Sequence, residues 1–196
     1  MKALPIGLKD LYYAKLLTDE QDGKTTYAPP KRLAGAINAN LNPNATSTTI
    51  YVDDKPDETV TSQGLLEVEL GIDTLEKVTA AEIFGYRIDN RGALMEGNSS
   101  NQPYIALGFR SETTDGGYKY YWLYKGKIEP PGEEFQTKGE SVEIKTGSLK
   151  GSFISRKSDE EKKTTMHSND PDADPEAILN WFKAVYEPDF TTSTTP

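Results

Sequence analysis

The sequence predicts a mainly β, α+β fold: a β-sandwich or barrel with one flanking helix and a short C-terminal helix. Three observations predict it. Apolar residues alternate at period two through the middle of the chain, and a glycine-rich turn separates the two clearest runs. Only two segments combine a helix-start signal with apolar residues at helical spacing. At 196 residues and 21.7 kDa the chain has the size of one domain, assigned to residues 1–188, with a flexible tail over 189–196.

In chain order, Leu33–Leu41, Thr49–Val52 and Leu65–Gly71 read as short strands. Pro43–Thr49 (PNATSTT) and Asp53–Thr61 (DDKPDETVT) are polar, turn-rich and nearly free of large apolar groups, so residues 42–61 read as an exposed, extended loop region. Asp73-Thr74-Leu75-Glu76 has capping-box spacing, with Asp73 expected to accept from helix amides and Glu76 to reach back. Leu75, Val78, Thr79 and Ile83 supply the apolar stripe of that helix, and Gly85 is its expected stop.

The centre is the clearest part. In Gln102–Arg110, Ile105, Leu107 and Phe109 share one face, while Tyr104, Ala106 and Arg110 share the other. Thr113-Thr114-Asp115-Gly116-Gly117 supplies the positive φ of a tight turn, and Tyr118–Ile128 runs back with Tyr118, Tyr120, Trp122 and Tyr124 on one face. Ser141–Ile154 reads as a third run broken at Gly147. Residues 159–174 read as an extended charged loop, with lone His167 exposed in it. The second helix opens at Asp174-Pro175, docks through Ile178, Trp181, Phe182 and Val185, and ends at Glu187-Pro188.

Composition removes whole classes of chemistry. The chain has no cysteine, which excludes disulfides, thiolate nucleophiles and Cys-ligated zinc, and a single histidine cannot build a His-rich metal site. The opening MKALPIGLKD is cut by Lys9 and Asp10 before a secretory apolar region forms, and no run approaches membrane-helix length. With 31 acidic against 22 basic residues, a net charge of −9 and pI near 4.8, the chain lacks the basic footprint of tight nucleic-acid binding. These features describe an acidic, soluble, mostly β protein made in a cytoplasm.

Candidate chemistry is thin. Asp53, Asp54, Asp57 and Glu58 cluster without EF-hand spacing and read as a solvated acidic loop; Asp170, Asp172 and Asp174 read as a helix entrance in preference to a calcium site. Glu67 and Glu69 alternate with Val68 and Leu70, which describes the polar face of a strand and not a glycosidase pair. No Walker loop, dinucleotide fingerprint or nucleophile elbow occurs, so neither an enzyme nor a cofactor is expected. The Tyr118/Tyr120/Trp122/Tyr124 stripe reads first as a core or subunit interface. The alternative is a carbohydrate-binding platform on a β-sandwich.

Ordered stretches along the chain resemble one family. They are IGLKDLYYAKL (Ile6–Leu16), KRLAGAINANLNPN (Lys31–Asn44), YVDDKPDET (Tyr51–Thr59), LEVELGI (Leu66–Ile72), YIALGF (Tyr104–Phe109), YYWLYKGK (Tyr120–Lys127), FQTKG (Phe135–Gly139), LKGSF (Leu149–Phe153) and DPEAILNWF (Asp174–Phe182). Together they are similar to the phi13-type major tail proteins, the tail-tube subunits of long non-contractile-tailed phages of Gram-positive bacteria. The resemblance implies a sandwich or barrel of tail-tube type that forms hexameric rings stacked into a hollow tube. That tube would surround the tape-measure protein, meet tail-tip and tail-terminator proteins, and conduct DNA without binding it specifically. It implies a virion location, synthesis in the host bacterial cytoplasm, no membrane partner and no catalytic residue. A related secretion-tube subunit shares the fold idea. Within this expectation Tyr51, Asp53, Asp54, Asp57 and Glu58 belong to an inter-ring stacking loop, with a plain surface hairpin as the alternative for that segment, and Glu67, Glu69 and Glu143 are candidates for the acidic lumen wall.

Overall fold

The computed structural model describes residues 3–21, 24–52, 55–97, 101–132 and 147–190, without the side chains of 46, 48, 50–52, 56, 57 and 59–63. The strands are β1 (Pro5–Thr18), β2 (Thr26–Tyr27), β3 (Lys31–Ala34), β4 (Ala36–Val52), β5 (Lys55–Ile72), β6 (Arg87–Ile88), β7 (Leu94–Met95), β8 (Ile105–Thr113), β9 (Tyr118–Glu129), β10 (Gly147–Ile154) and β11 (Lys163–His167). The helices are α1 (Lys77–Phe84) and α2 (Pro175–Asn180). The fold is mainly β, as predicted, and is built on one large antiparallel sheet.

The sheet order is β2-β1-β8-β9-β10-β5-β4, with β3 added to β1 and β11 added to β9. Only Gly35 separates β3, at one end of this order, from β4, at the other. The sheet therefore rolls round so that the continuous β3–Gly35–β4 stretch pairs with β1 at one end and with β5 at the other. Asp73 holds the junction: its carboxylate accepts from Gly35 N at 2.8 Å and its own amide donates to the Gly35 carbonyl at 3.0 Å.

Alternation sorts the side chains into two cores. The inward face collects Leu11, Leu33, Leu66, Val68, Leu70, Ile72, Ile105, Leu107, Phe109, Leu123 and Phe153, with Ile83 and Phe84 of α1 closing one side. The outward face of β1, β8 and β9 carries Ala14, Ala106, Tyr120, Trp122 and Tyr124, covered by Trp181 and Val185 after α2. Register slips by one residue between the β8–β9 pairs Ile105↔Gly126 and Leu107↔Leu123. This lets Ile128 join the inner core although Tyr124 belongs to the outer one. The Asp115–Gly117 turn forms as expected, with Gly116 at φ 78° and its amide bonded to the Thr113 carbonyl.

Several expectations need correction. The region 42–61 is not an extended loop but takes the alternative form, a hairpin: β4 and β5 continue through it, and its threonines and valines suit a strand. Residues 159–174 contain β11, which pairs with the first half of β9. The capping box does not form. Helix α1 starts at Lys77, Glu76 at its N-cap makes no side-chain cap bond, and the Asp73 carboxylate serves Gly35 and Thr74 instead. Gly85 does end α1 in the left-handed region. α2 stops at Asn180, short of Glu187, although Asp174 caps it through Glu176 N with Pro175 at its first turn. The Ser141–Thr146 part of the third run and residues 191–196 of the tail lie outside the described residues.

Candidate functional site

The long hairpin divides at a bulge. From Leu66 to Ile72 the strand β5 lies between β4 and β10, with Leu66, Val68, Leu70 and Ile72 buried beneath it. The pairs Pro43↔Leu66 and Ala45↔Gln63 are one residue out of step, so Gly64 and Leu65 face the single residue Asn44. Beyond it, from Ala45↔Gln63 to Val52↔Lys55, the described strands pair only with each other. Eight residues at about 3.3 Å each make an arm about 25 Å long. Of the expected stacking residues, Tyr51, Asp57 and Glu58 sit on this arm, and Glu58 is exposed. The side chains of Tyr51 and Asp57 lie outside the description, as do Asp53 and Asp54 entirely.

The aromatic stripe is covered by the chain itself. Tyr120, Trp122 and Tyr124 are buried, Trp122 completely, so they offer no open face for a sugar ring. Trp122 Nε1 donates to the Trp181 carbonyl at 3.0 Å, the Trp181 ring packs against Tyr120, and Phe182 stacks on Tyr12 at 4.7 Å between centroids. Tyr118, at the end of the stripe, is half-buried under the Arg110 guanidinium, 4.5 Å away. The expected docking residues of the C-terminal segment divide accordingly: Trp181 and Val185 are buried, and Ile178 and Phe182 are half-buried. Leu75, just before α1, packs against the inner core; on α1 Ile83 is buried, but Val78 points outward at 56% exposure. It lies about 100° round the helix from Thr79, which faces in with Ile83, so the docking face excludes it.

Two buried charge groups tie the C-terminal half to the barrel, and no periodicity in the sequence marks them. Lys125 Nζ meets Asp19 Oδ2 at 2.5 Å with both side chains nearly out of water. Burial alone would raise the Asp19 carboxyl, but bonds from Lys125 and from the Lys157 and Ser158 amides outweigh it and hold it below the usual range. Arg156, 1% exposed, lies 3.9 Å over the Tyr124 ring, grips Glu187 through Nη1 at 2.8–2.9 Å and also pairs with Asp159. Burial pushes the Glu187 carboxyl up, and the Arg156 charge offsets only part of that. Lys125 is one of three lysines in β9, so neither it nor Arg156 carried a sequence signal that pointed here.

The remaining candidates are scattered. Glu67 and Glu69 are exposed on the outer side of β5, with Glu69 opposite Lys150 and Glu67 opposite Ser152. Together with Asn40, Asn42 and Glu129 they line a shallow polar cleft of about 320 Å³. Glu143 lies outside the described residues. His167 is not exposed as expected: at the end of β11 its ring nitrogens lie 3.5 Å from Asp115 and Asp170, and its side chain is only 12% exposed. Among the described residues, no group of three or more His, Asp or Glu side chains is placed to hold a metal ion, and no helix is long and apolar enough to cross a membrane. No protein-family model and no curated protein matches this chain.

Proposed function

We propose that this chain is a structural tail-tube subunit. In this reading hexameric rings stack into the hollow tail of a non-contractile phage, which first holds the tape-measure protein and then passes DNA. The observation that carries the reading is the arm formed by residues 45–63, a two-stranded ribbon projecting from a closed barrel. A two-stranded hairpin is marginal by itself in water, so a sequence that keeps one this long gains from a partner surface. A neighbouring subunit in the same or the next ring supplies that surface. The chain resemblance favours the same reading, and so does the charge of −9. A conduit wall must not release counterions to DNA, and acidic residues repel a passing duplex over about 8–10 Å at ordinary salt. Glu67, Glu69 and Glu143 are the carboxylates proposed for that wall. Tail-tip and terminator proteins are the proposed partners at the tube ends, and the virion is the proposed location.

Negative-stain electron microscopy of the purified chain over a concentration series tests the proposal. Hollow rings or tubes are expected, and deletion of Asp53–Glu58 is expected to leave a folded monomer that does not polymerise. Intact tubes from that deletion remove the arm from the assembly. A chain that stays monomeric at every concentration, even with tail-tip proteins added, overturns the function.

A further inference from the structure

The base of the arm is built as a joint. At the bulge, Gly64 and Leu65 face Asn44, and such an insertion bends and twists the strand that carries it. A methyl group on Gly64 would collide with the Asn44 carbonyl oxygen, so the two strands approach there as only glycine allows. Pro43, next to the bulge, has no amide to donate and so cannot contribute a ladder bond that would stiffen the crossing.

Facing this joint is a rigid post. The turn 156–161 is closed by the Arg156 amide on the Glu161 carbonyl at 2.9 Å and by the Glu161 amide on Asp159 Oδ1 at 3.1 Å. The Lys162 carbonyl accepts from the Tyr124 amide at 3.0 Å, which pins the Lys162 backbone to β9. From that fixed root the Lys162 side chain crosses to the arm and donates to the Gly64 carbonyl at 2.6 Å. Between post and arm lies an open cleft of about 500 Å³, walled by Pro43, Ala45 and Leu66 on one side and Ser155, Glu160 and Lys163 on the other.

We infer that the bulge at Asn44/Gly64–Leu65 is a hinge on which the arm swings as a ribbon, and that Lys162 is the latch that sets its angle to the barrel. The latch bond ends on the carbonyl of the one glycine in the hinge, so breaking it frees the joint itself and not a point farther along the arm. The cleft provides the room for the swing. The device belongs to the isolated chain and holds whatever surface the arm meets.

The absence of cysteine allows a direct test. Spin labels are placed by Glu58→Cys on the exposed arm and Thr165→Cys on exposed β11, with unlabelled chain added to suppress distances between molecules. The parent gives one narrow distance distribution by double electron–electron resonance. Lys162→Ala is expected to broaden or shift it at unchanged thermal midpoint, Lys162→Arg to retain it, and Lys163→Ala, one residue away, to leave it alone. A Lys162→Ala distribution superimposable on the parent's overturns the latch. A parent distribution already as broad as that of Lys162→Ala overturns it equally.

Discussion

The two halves of the β4–β5 hairpin are one continuous pair of strands in two different situations. The half that ends at Ile72 is sandwiched in the barrel, with every second residue of Leu66–Ile72 buried. The half beyond Gly64 pairs, among the described strands, only with itself. The first derives its stability from area removed from water; the second pairs along its own ladder. The bulge between them separates an element that is folded by its own chain from one that, in the proposed assembly, is completed by another surface.

The largest effect should come from breaking the buried half. Leu70 is 2% exposed, and Leu70→Ala should cost about 2–5 kcal/mol in urea unfolding. Glu58→Ala on the arm should stay within about 0.5 kcal/mol in the same experiment. Equal losses at the two sites would erase the distinction. Next comes Gly108→Ala on β8, where a methyl group would stand 2.7 Å from the Trp122 ring. The outer core must shift to admit it, at about 1–3 kcal/mol, with a changed tryptophan emission reporting the displacement.

Acid should act on the barrel. Asp19, Glu82, Asp73 and Asp115 are all held below their usual pKa range. For Glu82 the Lys31 bond is the leading cause, for Asp73 the Thr74 amide, for Asp115 the Thr113 hydroxyl, and for Asp19 the bonds from Lys125 and two amides prevail over burial. A carboxylate depressed in the fold contributes stability above its unfolded value and loses it as pH falls through the folded one. Unfolding monitored by circular dichroism should therefore hold level near neutrality and weaken progressively below about pH 4. Glu187, raised in the fold, works in the opposite direction and softens the drop. None of the four depressed groups lies on the arm, so acid should unfold the barrel through residues the arm does not use. Smaller again is Glu187→Gln, which removes one of the two carboxylates on buried Arg156. Because Glu187 is 42% exposed and Asp159 remains, the loss should be about 1 kcal/mol, read as a lowered thermal midpoint.

The same contrast explains what could be read from the residues. β8, β9 and their turn were legible because one face is apolar and the other has a distinct chemistry, so period two stands out in Ile105, Leu107, Phe109 and in Tyr120, Trp122, Tyr124. Of the arm, only Thr49–Val52 was legible as strand: the rest shows no apolar alternation in its sequence, and richness in β-branched threonine and valine was the remaining signal. The Asp73–Glu76 spacing misled because Gly35, 38 residues earlier in the chain, competes for the same carboxylate. Lys162 and Arg156 act across long separations, and local pattern carries no trace of such partners. The assembly reading rested on matched stretches spread along the chain and not on any single site.

Hydrogen–deuterium exchange of the full chain across a concentration series tests the central claim most directly. The account predicts slow exchange over Leu66–Ile72 at every concentration. Over residues 45–63 it predicts fast exchange in dilute protein that becomes slow as rings and tubes accumulate. Exchange over 45–63 that does not respond to assembly, whether fast or slow throughout, contradicts it.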